Sequence, residues 1–204
     1  MSSGTVIAIV VVLGLLAAAA MRKHAISRMN PLLDIAITKH NATIQRSFLG
    51  MPQITKRVGE RALRMTPMTI STSSPDAGEM TCVDFDLPNP AIGEFRIREK
   101  SDAARNAMPT TMMGRMTPLA LGIPQIDTRF SAVASDAKQA KPILTAPAVI
   151  ASLVALPRGA DIHVRAGKCF VSVNGVPKDA DFIDRLFAAS ERLLESLETQ
   201  ALRP

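Results

Sequence analysis

The sequence predicts an α+β protein, with an N-terminal transmembrane helix followed by a small α+β domain in which helices pack on an antiparallel-rich sheet. Three observations predict it. Thr5 to Ala20 has no charge and no Pro, and with Ser2 to Gly4 and Met21 it can reach about 20 helical residues, roughly the 30 Å of a bilayer core. Apolar residues alternate with polar ones at 81–87, 94–98, 130–135 and 162–173. An apolar stripe at helical spacing occupies 179–199. The expected organisation is an anchor over 1–21, a basic juxtamembrane connector over 22–64 and an α+β cytoplasmic domain over 65–204.

The anchor has a direction. Met1 to Gly4 carries no Lys or Arg, whereas Arg22, Lys23 and Arg28 follow the apolar run. Basic flanks stay in the cytoplasm, so the N-terminus is expected outside and the C-terminal domain inside, in a single pass of the inner membrane. A cleaved signal peptide, the rival reading, calls for the opposite flanks. Gly4, Ala8, Gly14 and Ala18 fall within one arc of this helix as two small-x-x-x-small pairs, candidates for close packing against another helix.

The connector holds the charge. Residues 22–64 contain nine Lys/Arg against Asp34 and Glu60, a net +7, so the rest of a +6 chain is close to neutral. Arg22, Lys23, Arg28, Lys56, Arg57, Arg61 and Arg64 are candidate contacts to anionic lipid or to a partner. Within this segment Pro31 opens a short helix after Asn30 as its cap.

Further along, 68–87 reads as a hairpin around Ser74-Pro75-Asp76-Ala77-Gly78. Phe95 and Ile97 mark another strand. Met108, Met112, Met113 and Met116 have a spacing that can hold Cu(I), but no Cys or His lies beside them and they read as apolar filler. Phe130 to Ser135 suits a strand covered on both faces. Ser135 is the expected cap of a short helix from Asp136, and Thr145 of another with Pro147 in its first turn. A two-residue turn at Gly167-Lys168 is expected to pair Ala166 with Cys169, Val164 with Val171 and Ile162 with Val173, leaving His163 exposed. From about Asp179 to Thr199, Phe182, Ile183, Leu186, Phe187, Leu193, Leu194 and Leu197 face the sheet, with Asp184, Glu191 and Glu198 among the outward residues.

Leu121-Gly122, Pro124, Asp127-x-x-Phe130, Val133, Asp136, Ala140 and Leu144, preceded by Phe95-x-Ile97-x-x-Lys100, resemble a pattern in uncharacterised bacterial single-pass membrane-anchored proteins with a C-terminal α+β domain of unknown function. Ile123 and Ile126 depart from that pattern, which has Asp and Phe there. The resemblance implies an architecture and carries over no catalytic residue.

The chain has no Trp, no Tyr and seven Phe, which argues against a base-stacking nucleic-acid surface. Cys82 and Cys169 sit in separate apolar runs, outside any C-x-x-C, and are expected reduced. His24, His40 and His163 lack a nucleophile or carboxylate at a recognisable spacing, and no phosphate-binding glycine motif occurs. The reading is therefore not an enzyme, with no cofactor, no metal and no small-molecule substrate. It is a membrane-tethered, non-catalytic interaction or scaffold module, working with another membrane protein or as a homo-oligomer. The alternative is an anionic-lipid sensor acting through the basic segment, and an unrecognised hydrolase ranks third.

Overall fold

The computed structural model describes residues 12, 23, 27, 31–46, 52–70, 78–87, 92–100, 116–177 and 179–201. Helix α1 occupies 31–40. It is followed by β1 (Thr43–Gln45), β2 (Gln53–Val58), β3 (Arg61–Ile70), β4 (Gly78–Asp86), β5 (Phe95–Glu99) and β6 (Thr117–Leu119). Then come α2 (Pro124–Arg129), β7 (Phe130–Ala134), α3 (Ala137–Leu144), α4 (Pro147–Ala155), β8 (Ala160–Arg165), β9 (Lys168–Asn174) and α5 (Ala180–Ala201).

The expected fold class is corrected in one respect. No helix among the described residues is long and apolar enough to cross a membrane, so the described fold is α+β and the transmembrane helix expected over 1–21 is no part of it. Thr5–Ala20 is the uncharged run on which that expectation rested. Apart from exposed Val12 this run lies outside the described residues. The long described helix, α5, is amphipathic over its 22 residues, with Asp, Glu and Arg distributed along it.

The nine strands form one sheet in the order β1-β2-β3-β4-β9-β8-β5-β7-β6, with every neighbouring pair antiparallel. The segment expected as a connector over 22–64 supplies β1, β2 and the start of β3, so the boundary expected at 64/65 falls inside a strand. Gly59 (φ +57) takes the first position of the two-residue turn joining β2 to β3, where a positive φ favours glycine. The hairpin expected over 68–87 is present as β3 and β4.

The β8–β9 hairpin turns one residue earlier than its sequence suggests. Ala166 (φ 50) and Gly167 (φ 73) are the central pair, and Arg165 faces Lys168, Val164 faces Cys169, Ile162 faces Val171 and Ala160 faces Val173. Two positive φ values in a row give the turn whose twist matches the flanking strands. Moving the turn by one residue shifts the pairing by two, so the same side chains stay on each face.

One sheet face is apolar. Leu63, Met65, Val83, Phe85, Phe95, Ile97, Ile162, Val164, Cys169 and Val171 are buried there in one cluster with Leu33 of α1, Val149 and Leu153 of α4, and Ile183, Leu186, Phe187, Leu193, Leu194 and Leu197 of α5. Complete burial of side chains this size contributes roughly 1.5–3 kcal/mol each. Asp136 caps α3, accepting from the backbone N–H of Lys138 and Gln139, in place of the expected Ser135. Ala146, without a side-chain bond, precedes α4 in place of Thr145, whose hydroxyl instead donates to the Lys141 carbonyl of α3. Asp179 accepts from Phe182 N–H at the start of α5. Asp127 lies in α2 and accepts from the N–H groups of Leu121, Gly122 and Ile123, fixing the turn that delivers buried Phe130 into β7.

Candidate functional site

Gly4, Ala8, Gly14, Ala18, Arg22 and Arg28 lie outside the described residues, as do His24, Met108, Met112 and Met113. Lys23 is helical and exposed. The other four basic candidates, Lys56, Arg57, Arg61 and Arg64, do not form one patch, because successive strand residues point to opposite faces. Lys56 pairs with Glu191 of α5 at 2.7 Å and Arg61 with Glu198 at 3.5 Å. Arg64 bridges Asp84 and Asp86 of β4 at 2.9 and 3.0 Å. Those two carboxylates raise its pKa, the Asp86 hydrogen bond contributing most. Arg57 alone of the four is exposed without an ion pair among the described residues.

Two histidines acquire carboxylate partners that sequence spacing could not reveal. His40, at the end of α1, places Nε2 2.6 Å from Asp184 Oδ1 and Nδ1 3.4 Å from Lys56 Nζ, with its ring 5.3 Å from Phe187. Lys39 also binds Asp184. Burial works against the Asp184 carboxylate, but the bonds from Lys39 and His40 outweigh it and lower its pKa. His163 lies 3.2 Å from Glu94, on the strand face where it was expected. Among the described residues no Ser, Thr or Cys hydrogen-bonds either imidazole, and no three His, Cys, Asp or Glu side chains converge to hold a metal.

The second sheet face is polar. Register aligns Arg64, Asp84, Phe170, His163 and Arg96 in one row across five strands. Arg96 chelates Asp161, its Nε lying 2.8 Å from Oδ1 and 3.1 Å from Oδ2. Arg165 and Lys168 stand at the β8–β9 turn, near Glu94 and Asp86 respectively. These groups are half-exposed or exposed, in contrast to the buried face behind them. Cys82 faces this side and Cys169 the core, on neighbouring strands, so the two thiols point apart. Burial pushes both thiols up in pKa.

A cleft of about 440 Å³ opens where β5, the end of α2, the α4–β8 loop and α5 meet. Its floor is the pair Glu99–Arg129, with Nε 2.9 Å from Oε1. Arg129 also donates to the carbonyls of Val154 (3.1 Å), Leu156 (2.9 Å) and Pro157 (3.2 Å), closing the C-terminal end of α4. Its guanidinium lies 4.7 Å from the Phe130 ring centroid. Glu99 accepts in addition from Gly159 and Ala160 N–H. Burial opposes the Glu99 charge, yet the Arg129 and Gly159 bonds hold its pKa below the usual value. Ala155, Leu156 and Pro157 give the cleft an apolar wall, and Arg158 and Arg185 line its mouth. The sequence does carry a signal for this site. Phe95, Ile97 and Glu99 share a parity, so the alternation that buries the first two sends a carboxylate inward, where it requires a partner.

A nine-stranded antiparallel sheet backed on one face by helices defines the class of this protein. No family model and no curated protein matches the sequence. A solved structure shares the fold: the crystal structure of the mycobacterial trehalose monomycolate transport factor A, TtfA, is similar at a TM-score of 0.53 over 87% of this chain and 94% of that one, with 10% sequence identity. At that identity the likeness shows the fold alone.

Proposed function

We propose that this chain is a non-catalytic interaction module that binds a membrane-associated protein partner in a transport assembly at the cytoplasmic face of the inner membrane. The polar sheet face carries this reading. It presents Arg64, Asp84, Phe170, His163 and Arg96 on a continuous hydrogen-bonded scaffold, with Arg165 and Lys168 at its rim. A rigid array of mixed charges around an aromatic ring suits recognition of a folded partner, because charge complementarity fixes orientation more than it adds affinity. The fold shared with a transport factor supports the setting, and two free cysteines suit a reducing compartment. Anionic-lipid sensing through the basic segment is the weaker reading, because Lys56, Arg61 and Arg64 are engaged by carboxylates of the same chain.

The test is crosslinking of the full chain in native membranes followed by co-purification. The wild type should fractionate with membranes and yield a discrete crosslink to a membrane protein. Reversing the rim charges with Arg165→Glu and Lys168→Glu should abolish that crosslink, while Arg192→Glu on the exposed side of α5 should leave it intact. A chain that stays wholly soluble, or a crosslink indifferent to the rim reversals, would refute the proposal.

A further inference from the structure

We infer that the cleft beneath α4 is a binding site for a phosphate monoester dianion carrying an apolar substituent. The floor is already satisfied. Glu99 is held by Arg129 and by two backbone N–H groups, and Arg129 also donates to three carbonyls. Those carbonyls form the negative end of α4, which would otherwise repel an anion; the Arg129 guanidinium covers them.

The mouth has no carboxylate partner among the described residues. Arg158 and Arg185 are exposed and neither has an ion pair among the described residues; Arg185 donates only its Nε, to the carbonyl of Asp181 one turn back. By contrast Arg46, Arg61, Arg64, Arg96, Arg129 and Arg165 each meet a carboxylate. With three arginines and one glutamate the lining sums to +2, the charge a dianion neutralises. Guanidinium forks bind phosphate oxygens in pairs. The substituent has a place as well, against Ala155, Leu156 and Pro157, beside Val154, whose side chain is 52% exposed. This site opens on the side of the sheet covered by α4 and α5, opposite the polar face, and does not depend on the interaction reading.

The experiment titrates the full chain with inorganic phosphate, phenyl phosphate and phosphatidic acid in phosphatidylcholine vesicles. Phenyl phosphate should bind saturably and more tightly than inorganic phosphate. Arg158→Ala and Arg185→Ala should each weaken it roughly tenfold, and Arg57→Ala, an exposed unpaired arginine elsewhere, should not. Vesicle binding that phenyl phosphate displaces would identify the ligand as a lipid headgroup; phenyl phosphate binding without vesicle binding would identify a soluble monoester. As a check independent of substitution, phenyl phosphate should protect Arg158 and Arg185 of the wild type from phenylglyoxal, read by mass spectrometry. Absence of saturable binding by all three probes, binding that survives loss of both arginines, or equal phenylglyoxal labelling with and without phenyl phosphate would overturn the assignment.

Discussion

Replacing Arg129 with Ala removes the partner of Glu99, a carboxylate whose side chain is 10% exposed. The variant leaves that charge with two backbone N–H donors and uncovers the carbonyls of Val154, Leu156 and Pro157. Breaking a buried pair from one side costs about 3–5 kcal/mol, mostly through the stranded partner. Arg129 is itself 25% exposed and water can reach the space it vacates, so the lower end, about 3 kcal/mol, is expected. In a chain of this size that lowers Tm by roughly 6–12 °C. Urea unfolding gives the free energy, and the pair Glu99→Met, Arg129→Met tests its origin. If the stranded carboxylate is the cause, the double variant should recover more than half of the loss. The pH dependence has a definite sign. The folded pKa of Glu99 lies below its ordinary value, so its contribution is fully present above the unfolded pKa and is lost as pH falls through the folded one. Glu99→Gln should flatten that acid limb. A loss below about 1 kcal/mol for Arg129→Ala, or a double variant no better than the single one, would refute the reasoning.

Three further outcomes are expected. Phe130→Ala should cost about 3–5 kcal/mol in urea unfolding, because the ring is 3% exposed in the central cluster and also carries the Arg129 guanidinium. Ala166→Asn should raise stability by about 0.5–1 kcal/mol in the same assay, since Asn tolerates the left-handed φ of 50 that Ala adopts at strain. Ser190→Ala should also stabilise, by about 1 kcal/mol, because the buried Ser190 hydroxyl has no hydrogen-bond partner among the described residues.

Strands with clean alternation were legible in the sequence, and for that reason β4, β5, β8 and β9 fall where apolar residues recur at every second position. The turn at Ala166-Gly167 was missed because alanine rarely accepts a positive φ, so Gly167-Lys168 looked like the better pair; face assignment survived because pairing moved by an even number of residues. β1 and β2 were hidden for a different reason. Gln53-Ile54-Thr55-Lys56-Arg57-Val58 has one fully buried residue, Ile54, and the aliphatic stem of Lys56 occupies the next inward position. A lysine on a covered face reads as solvated until its partner is known, and that partner, Glu191, belongs to the last helix. The partner of Glu99 was hidden in the same way, because Arg129 ends α2, thirty residues further along, and no local pattern connects the two.

Part of the basic excess of residues 22–64 therefore has an internal explanation. Asp184, Glu191 and Glu198 recur every seven residues along α5, two helical turns apart, so they form a stripe on one side of the helix. Periodicity assigned that stripe to solvent. In the structure it faces the N-terminal elements: Lys39 and His40 of α1 meet Asp184, Lys56 of β2 meets Glu191, and Arg61 of β3 meets Glu198. Side-chain exposure rises along the series, from 20% at Asp184 to 24% at Glu191 and 38% at Glu198, so screening weakens each successive pair. Such pairs add little net stability at the exposed end, but they discriminate: a like-charged or shifted partner along the stripe would leave a half-buried carboxylate unanswered. The charge that the sequence appeared to direct outward thus sets the alignment of α1, β2 and β3 on α5, and it leaves the polar sheet face and the arginine-lined cleft as the surfaces whose charges look away from the core.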